Sequence, residues 1–454
     1  MTSTVSRRDF LRSSAAGIGA TLAVPYVVPS SVFGQNSPSN RITLGIIGCG
    51  NQSTVDIPQW LKNDDCQITA VCDVNRASYG YKTDKQFLGR EPQRDFVNQH
   101  YAKKAASGQF KGCDLYADFR ELLARKDIDA VAIIAPDHWH AVMTILAAQE
   151  GKDIYCQKPM TLTVRDGQEM IKAVRQHNRI LQTGSQWRSL AFVRRACELV
   201  VNGRIGKVQR IESFVAPNNF DGPGPGWKEM SVPEGFDYDL WLGPAPNAPY
   251  HKDRCFYRFR FVLDYSGGQT TNFGHHANGM VRWGMGDGDV PVEYEDAGSQ
   301  WPEPGDLFTT PTKVAFRARF ASGAELYCHT DPRSTGVRFE GTDGWVDIGR
   351  KAFTCEPASL MDSVIGPDEQ RLYVSENHYR NFLDCVKSRR DPIEPVETGH
   401  RTSMLCHLGN IAMRLKRKIK LDPQTEQIVG DDEAARMLAR PLRAPWSYAM
   451  PLGG

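Results

Sequence analysis

Arg41-Ile42-Thr43-Leu44-Gly45-Ile46-Ile47-Gly48-Cys49-Gly50-Asn51-Gln52-Ser53 is the stretch on which the fold of this 454-residue chain turns. Its first half is a β-former run without polar alternation, the pattern of a strand buried on both faces of a parallel sheet. It ends in Gly48-Cys49-Gly50, and the residues through Trp60 and Leu61 then read as a helix interrupted by Pro58. Glycines at a strand-to-helix turn let the backbone approach a pyrophosphate, which rests on the helix N-terminus. Ser53 stands where a third glycine would complete the pattern, so the turn needs support from its surroundings.

That support lies downstream. A second strand, Ile68 to Cys72, ends at Asp73, where an acid accepts the ribose hydroxyls of a dinucleotide. Asn75 and Arg76 follow; an arginine can cradle the 2′-phosphate of NADP, but the acid repels that phosphate, so NAD is expected over NADP. A third strand, Asp129 to Ala135, runs into Pro136-Asp137-His138-Trp139-His140 and an amphipathic helix carrying Val142, Ile145, Leu146 and Ala148. A fourth, Asp153 to Cys156, leads into Gln157-Lys158-Pro159 and a helix around Met170, Ile171 and Val174. The polar segment from Arg76 to Gly112 reads as a helix with an inserted loop. Repeated strand–helix units imply a doubly wound parallel sheet with ligands at the carboxyl ends of its strands. Asp137, His138, His140, Gln157 and Lys158 lie along that edge.

The order of these features, G-x-G, the acid after strand two, Ala135 to His140, and a strand ending in Gln157-Lys158-Pro159, resembles the Gfo/Idh/MocA oxidoreductase family. The family's signature at the last point is Glu-Lys-Pro. The resemblance implies a Rossmann domain followed by an open, mostly antiparallel sheet domain, an α/β plus α+β chain that works on sugars, cyclitols or glycosides with NAD(P). It implies cofactor contacts at Gly48, Gly50, Asn51, Asp73, Asn75, Arg76, Pro136, His140 and Lys158. Catalysis is placed on Lys158 and His276, and substrate contacts on Gln157, Trp187, Arg188, Asn272 and His275. The family pattern D-x-G-x-H-x-x-D falls on Asn272, His276 and Gly279, so both its acids are absent, as is the acid before Lys158. Removing those carboxylates disfavours the protonated forms of Lys158 and His276. Asn272 and His276, four apart, would share one helix face. His138, His140, His275 and His276 lack a cysteine or carboxylate pattern that would complete a metal site, and none is expected.

Charge and composition narrow the class. Lys+Arg number 55 and Asp+Glu 53, and the excess of two sits in the first 34 residues, on Arg7, Arg8 and Arg12 against Asp9. A neutral body argues against nucleic acid or anionic lipid as partner. Ser6-Arg7-Arg8-Asp9-Phe10-Leu11, followed by an apolar run from Ala15 to Val28, looks like a twin-arginine export signal. The expected organisation is a signal at 1–34, a Rossmann domain at 35–184, and a substrate and oligomerisation domain at 185–454 whose segment from about 370 packs back. No apolar run in the body reaches the length of a membrane-spanning helix. The 11 cysteines, odd in number and without a CxxC pair, do not form a disulfide framework. Folding in a reducing compartment before export reconciles free thiols with an oxidising destination.

In the second half, Val208 to Val215 reads as a strand and Phe256-Tyr257-Arg258-Phe259-Arg260-Phe261 as a strand bordering the pocket. Asn377 to Val386 and Gly399 to Leu415 show helical periodicity, and the cations from Arg414 to Lys420 read as a solvated helix end. The leading expectation is an exported oxidoreductase on a sugar hydroxyl or keto group. It would hold its NAD tightly, associate with itself, and use the twin-arginine machinery as its export partner. A redox-neutral glycoside hydrolase or lyase and a catalytically silent sugar or nucleotide binder are the alternatives.

Overall fold

In the computed structural model, residues 41–104 and 112–453 are described. The export signal read on the first 34 residues lies outside them. The first half runs β1 (Ile42–Ile47), α1 (Ser53–Trp60), β2 (Cys66–Cys72), a short hairpin β3 (Ser78–Tyr79) and β4 (Phe87–Leu88), α2 (Arg90–Lys104), β5 (Asp114–Tyr116), α3 (Phe119–Leu123), β6 (Ala130–Ile133), α4 (His140–Gln149), β7 (Asp153–Cys156), α5 (Val164–Gln176) and β8 (Leu181–Thr183). The six long-range strands form one sheet in the order β5-β2-β1-β6-β7-β8, every pair parallel. The chain reverses its winding direction between β1 and β6, and a crevice opens there at the carboxyl ends of the strands. β6 and β7 are buried at every position, as strands covered by helices on both faces are, and Asp153 at the start of β7 is paired with Arg389.

The second half adds α6 (Ala191–Val201), β9 (Val208–Val215), α7 (Tyr238–Leu242), α8 (Gln269–Asn272), α9 (Gly274–Met285), β10 (Pro291–Asp296), β11 (Ala315–Phe320), β12 (Glu325–Thr330), β13 (Thr335–Gly341), β14 (Trp345–Ile348), β15 (Phe353–Glu356), α10 (His378–Ser388), α11 (Val396–Leu415), β16 (Ile419–Asp422), β17 (Gln427–Ile428) and α12 (Asp432–Arg436). Its nine-stranded sheet has the order β15-β14-β13-β9-β12-β11-β10-β16-β17 and is antiparallel except for the β9–β12 pair. One face packs on α6, α9 and α11 through Leu199, Met280, Leu405, Phe316, Leu326 and Phe339, all buried. The other face carries half-exposed or exposed residues such as Arg317, Tyr327, His329, Arg338 and Trp345.

The end of the chain returns to the first half. On α10, Tyr379 and Phe382 pack edge-on against Trp60, and Arg380 and Lys387 pair with Asp65 at 2.6 and 2.5 Å. Beyond α12, Trp446 meets Trp139 edge-on with ring centres 4.7 Å apart. From Ile42 to the C-terminus the chain holds together as a single unit by its contacts.

Four local expectations are corrected. Pro58 does not interrupt α1, which runs two residues further to Trp60; the proline removes one amide, and burial of Ile57 and Trp60 holds the last turn. The aromatic and arginine string is not a strand: Phe256 takes a left-handed conformation at φ 51° and Arg258–Phe261 form a 3-10 turn. Asn272 and His276 do not share one helix, because α8 closes at Asn272 and α9 starts at Gly274. The basic run is not a free helix end either. Lys416 caps α11 at φ 52°, and β16 then pairs with the acidic β10, where Lys418 faces Glu293 at 3.4 Å.

Candidate active site

The crevice is a cavity of about 420 Å³ lined by the ends of β1, β2, β6 and β7, by residues between Phe256 and Arg260, and by Asn272, Phe273 and His276. At its inner end Gly48 stands at φ +101°, and a Cβ placed there would lie 2.5 Å from the Ile134 carbonyl oxygen. Only glycine lets the loop turn this close to β6. A Cβ placed on Gly50 would lie 3.0 Å from the edge of Tyr81, and Gly50, Asn51 and Gln52 present the N-terminus of α1 to the cavity. The end of β2 places Asp73 on the same wall. Its carboxylate accepts from the Cys49 amide at 2.6 Å and the Asn75 amide at 2.8 Å, and burial pushes its pKa up against those donors and Arg90. The Asn75 side chain is buried and donates to the Tyr81 hydroxyl at 2.8 Å, which ties the β2 end to the cavity wall. A glycine turn, open helix amides and an acid after strand two together fit a dinucleotide.

Lys158 projects from the turn after β7 and donates from Nζ to the Asn272 side-chain oxygen at 2.8 Å and to its carbonyl at 3.2 Å. Burial and the nearby Arg260 charge pull its pKa down to about 8, with Asp137 and Asp56 opposing. His276 lines the same cavity, its ring stacked on Trp187 at 6.0 Å. Burial, then the positive charge at Lys158, hold it far below the ordinary histidine pKa, so it is neutral near pH 7. Four buried polar atoms on this wall make no hydrogen bond of ordinary geometry among the described residues: Asp137 Oδ2, Arg260 Nη1, Ser266 Oγ and His276 Nδ1. Ser266 is near enough to Asp137 to oppose the rise that burial gives its carboxyl. Orphaned groups of this kind are rare in folded proteins, and converging on one cavity they mark hydrogen bonds that a ligand completes.

Residues 42–185 match the family described as an oxidoreductase family with an NAD-binding Rossmann fold, and residues 222–448 match its C-terminal alpha/beta domain. The chain belongs to the Gfo/Idh/MocA oxidoreductase family. Among curated proteins it is similar to 2,7-anhydro-N-acetylneuraminate hydratase of Mediterraneibacter gnavus, 32% identical over 125 residues, which cover 27% of this chain and 33% of that protein. It thus spans about a third of that relative's length. It is also similar to 1,5-anhydro-D-fructose reductase of Ensifer adhaerens, 27% identical over 296 residues, covering 62% of this chain and 75% of the reductase. Among solved structures, the aldose-aldose oxidoreductase of Caulobacter crescentus, complexed with glycerol, superposes with a TM-score of 0.60 at 20% identity. That match covers 84% of this chain and all of that one, and it speaks for the fold alone.

The residues that depart from the Gfo/Idh/MocA pattern have physical partners. Gln157, in place of the usual acid, donates from Nε2 to Asp56 Oδ2 at 2.6 Å. Asp56 comes from α1, is fully buried, and accepts also from Tyr379 at 2.7 Å and Gln52 at 2.9 Å. A carboxyl group supplied from another element therefore stands against Gln157, and its charge acts on Lys158. Burial raises the Asp56 carboxyl against these donors and Lys158. Its sequence signal is faint: one acid on the buried side of α1, between Ser53 and Trp60. Gly279 faces only Thr402, 3.6 Å from an added Cβ, and its carbonyl accepts from Arg188 at 3.4 Å.

Several of the other expected site residues of this Gfo/Idh/MocA member lie elsewhere. Arg76 is exposed, and its backbone amide donates to the Gly235 carbonyl, outside the cavity wall. His140 is buried beneath the wall, its two ring nitrogens at 2.8 Å from the carbonyls of Pro159 and Ala135. Two carbonyl partners require both nitrogens to donate, the protonated form. Burial opposes that charge and is outweighed by Cys156, Asp137 and Ala135, giving a pKa of about 9. His140 thus fixes the two turns that present Pro136 and Lys158. Arg188 is only 3% exposed and pairs with Asp287 at 3.0 Å and Glu394 at 3.5 Å. His275 joins that buried network through Glu394 at 3.4 Å. Neither Arg188, His275 nor Trp187 lines the cavity; Trp187 reaches it only through its stack on His276.

Proposed function

We propose that this chain is an exported NAD-dependent oxidoreductase that acts on a hydroxyl or keto group of a sugar or cyclitol. The observation that carries the reading is the convergence of Lys158, neutral His276 and the orphaned atoms of Asp137 and Ser266 on the open end of a dinucleotide crevice. NAD, when bound, supplies the hydride acceptor or donor. Gly48, Gly50 and the α1 N-terminus would hold its pyrophosphate, and Asp73 its ribose hydroxyls; an acid at this position repels a 2′-phosphate and favours NAD over NADP.

Around the reacting carbon, Lys158 holds the substrate oxygen and exchanges its proton. A pKa near 8 keeps both protonation states of Lys158 accessible near neutrality. His276, held neutral, offers its unpartnered Nδ1 to a substrate hydroxyl, and Asn272 keeps the ammonium aimed. Asp137 and Ser266 complete hydroxyl hydrogen bonds on the substrate. Trp241, Phe256 and Tyr257 line the cavity and give it apolar wall. Export is supported by Ser6-Arg7-Arg8-Asp9-Phe10-Leu11, and a cofactor carried out of the cytoplasm must be held tightly and recycled in place. Tyr327, His329 and Trp345 on the outer face of the large sheet support self-association there.

The test is to purify the protein from the exported fraction without added cofactor, release bound nucleotide, and mix the protein with NAD and a panel of aldoses and cyclitols. The reading predicts co-purified NAD or NADH and a change in nicotinamide absorbance with at least one sugar. Absence of nucleotide together with no binding of added NAD sinks it.

A further inference from the structure

Arg260 is a charged group of the cleft to which the proposed reaction gives no ligand. Its guanidinium lies 3.8 Å from the Tyr257 ring centre and 5.2 Å from that of Phe259. The neighbouring Arg258 pairs with Asp253 at 2.5 Å. Arg260 has no such partner: among the described residues it makes no hydrogen bond or ion pair, and its Nη1 is buried. A guanidinium stays charged in a protein and offers five donors in a planar fork, so leaving it buried and unpaired is costly. Asp137 shares the cavity and its charge acts on Arg260, but no hydrogen bond joins the two. Lys158 lies on the same wall, and Lys82 stands 5.4 Å from the Tyr257 ring. Asp137 offsets part of this positive charge from a distance, but a neutral sugar leaves the buried Nη1 without a matched acceptor, whereas a carboxylate matches the fork in a bidentate pair.

We propose that Arg260 anchors the carboxylate of an acidic sugar, a uronate or aldonate, whose reacting carbinol sits at Lys158. The proposal rests on the reading of the cleft as an NAD-dependent sugar site and names its substrate class. Stacking on Tyr257 and Phe259 fixes the plane of the guanidinium, so little side-chain freedom is lost on binding. The cofactor's pyrophosphate is the other anion that could meet the same donors, and the experiment separates the two.

Binding of D-glucuronate, D-galacturonate and D-gluconate to the NAD-saturated protein is measured by calorimetry against D-glucose, D-galactose and D-glucitol. At least one acid is expected to bind roughly 10- to 100-fold more tightly than its neutral counterpart. Arg260→Met is expected to erase that difference while leaving NAD affinity unchanged. The proposal is overturned if no acid exceeds its counterpart. It is equally overturned if Arg260→Met weakens NAD and keeps the sugar preference, which assigns the guanidinium to the pyrophosphate. The wild-type comparison decides even if the variant fails to fold. Failure to bind NAD at all defeats the broader reading; NAD binding with a preference for neutral sugars defeats this proposal alone.

Discussion

Lys158 has its proton affinity set by opposing neighbours, and each can be changed singly. Burial and Arg260 lower it, while Asp137 and Asp56 raise it. Alcohol oxidation needs the neutral amine, so kcat/KM for oxidation is expected to rise with pH and level off above about 8. Asn272→Asp puts an anion on the oxygen that now accepts from Nζ at 2.8 Å. It is expected to move that midpoint up by about one pH unit. Asp56→Asn removes an anion and is expected to move the midpoint down. Profiles that coincide for the three proteins would disprove this account of Lys158. At this scale the sequence shows Lys158, Asn272 and His276 through their motif positions. It conceals Asp56, because the contact with Gln157 spans two elements 101 positions apart. Arg188 and His275 misled for the opposite reason: polar residues beside a motif look available, and only the fold shows that Glu394 occupies them.

Among the elements, the turn from β1 into α1 carries the strictest geometry. Gly48→Ala combines a disfavoured positive φ with a contact on the Ile134 carbonyl that backbone cannot relieve. A loss of roughly 2 to 4 kcal/mol of stability is expected in urea unfolding, together with weakened NAD binding. A variant as stable as wild type with unchanged NAD affinity would contradict the assigned turn. Strands with uninterrupted apolar runs, such as β1, β6 and β7, were legible because two-sided burial leaves no polar alternation. The Phe256 to Phe261 string was not. Its alternating aromatics imitate a strand, while the left-handed Phe256 and the packing of Phe259 and Phe261 in an aromatic cluster break the extended path.

Across the whole molecule, the chain's end straps back onto its beginning, while the cavity is closed by the ends of the parallel sheet and by loops and helix ends of the second half. Trp446 packs on Trp139, one residue before His140, and Arg120 lies 5.3 Å over its ring. Trp446→Ala is expected to cost roughly 3 kcal/mol in urea unfolding; a change within about 0.5 kcal/mol, typical of surface sites, would mean the strap is not structural. The two-part architecture was readable from motif order and from the change in pattern after Gln186. The return of α10 and Trp446 was less so, since no local pattern says where a terminal segment docks. The claim on which the rest depends is that Lys158 exchanges the proton of the reacting group in a cofactor-loaded site. Rapid mixing of NAD-loaded wild type and Lys158→Ala with a sugar the enzyme oxidises tests it directly. NADH formation is expected to slow by about a thousandfold in the variant with NAD affinity unchanged, and formation at the wild-type rate would contradict the account.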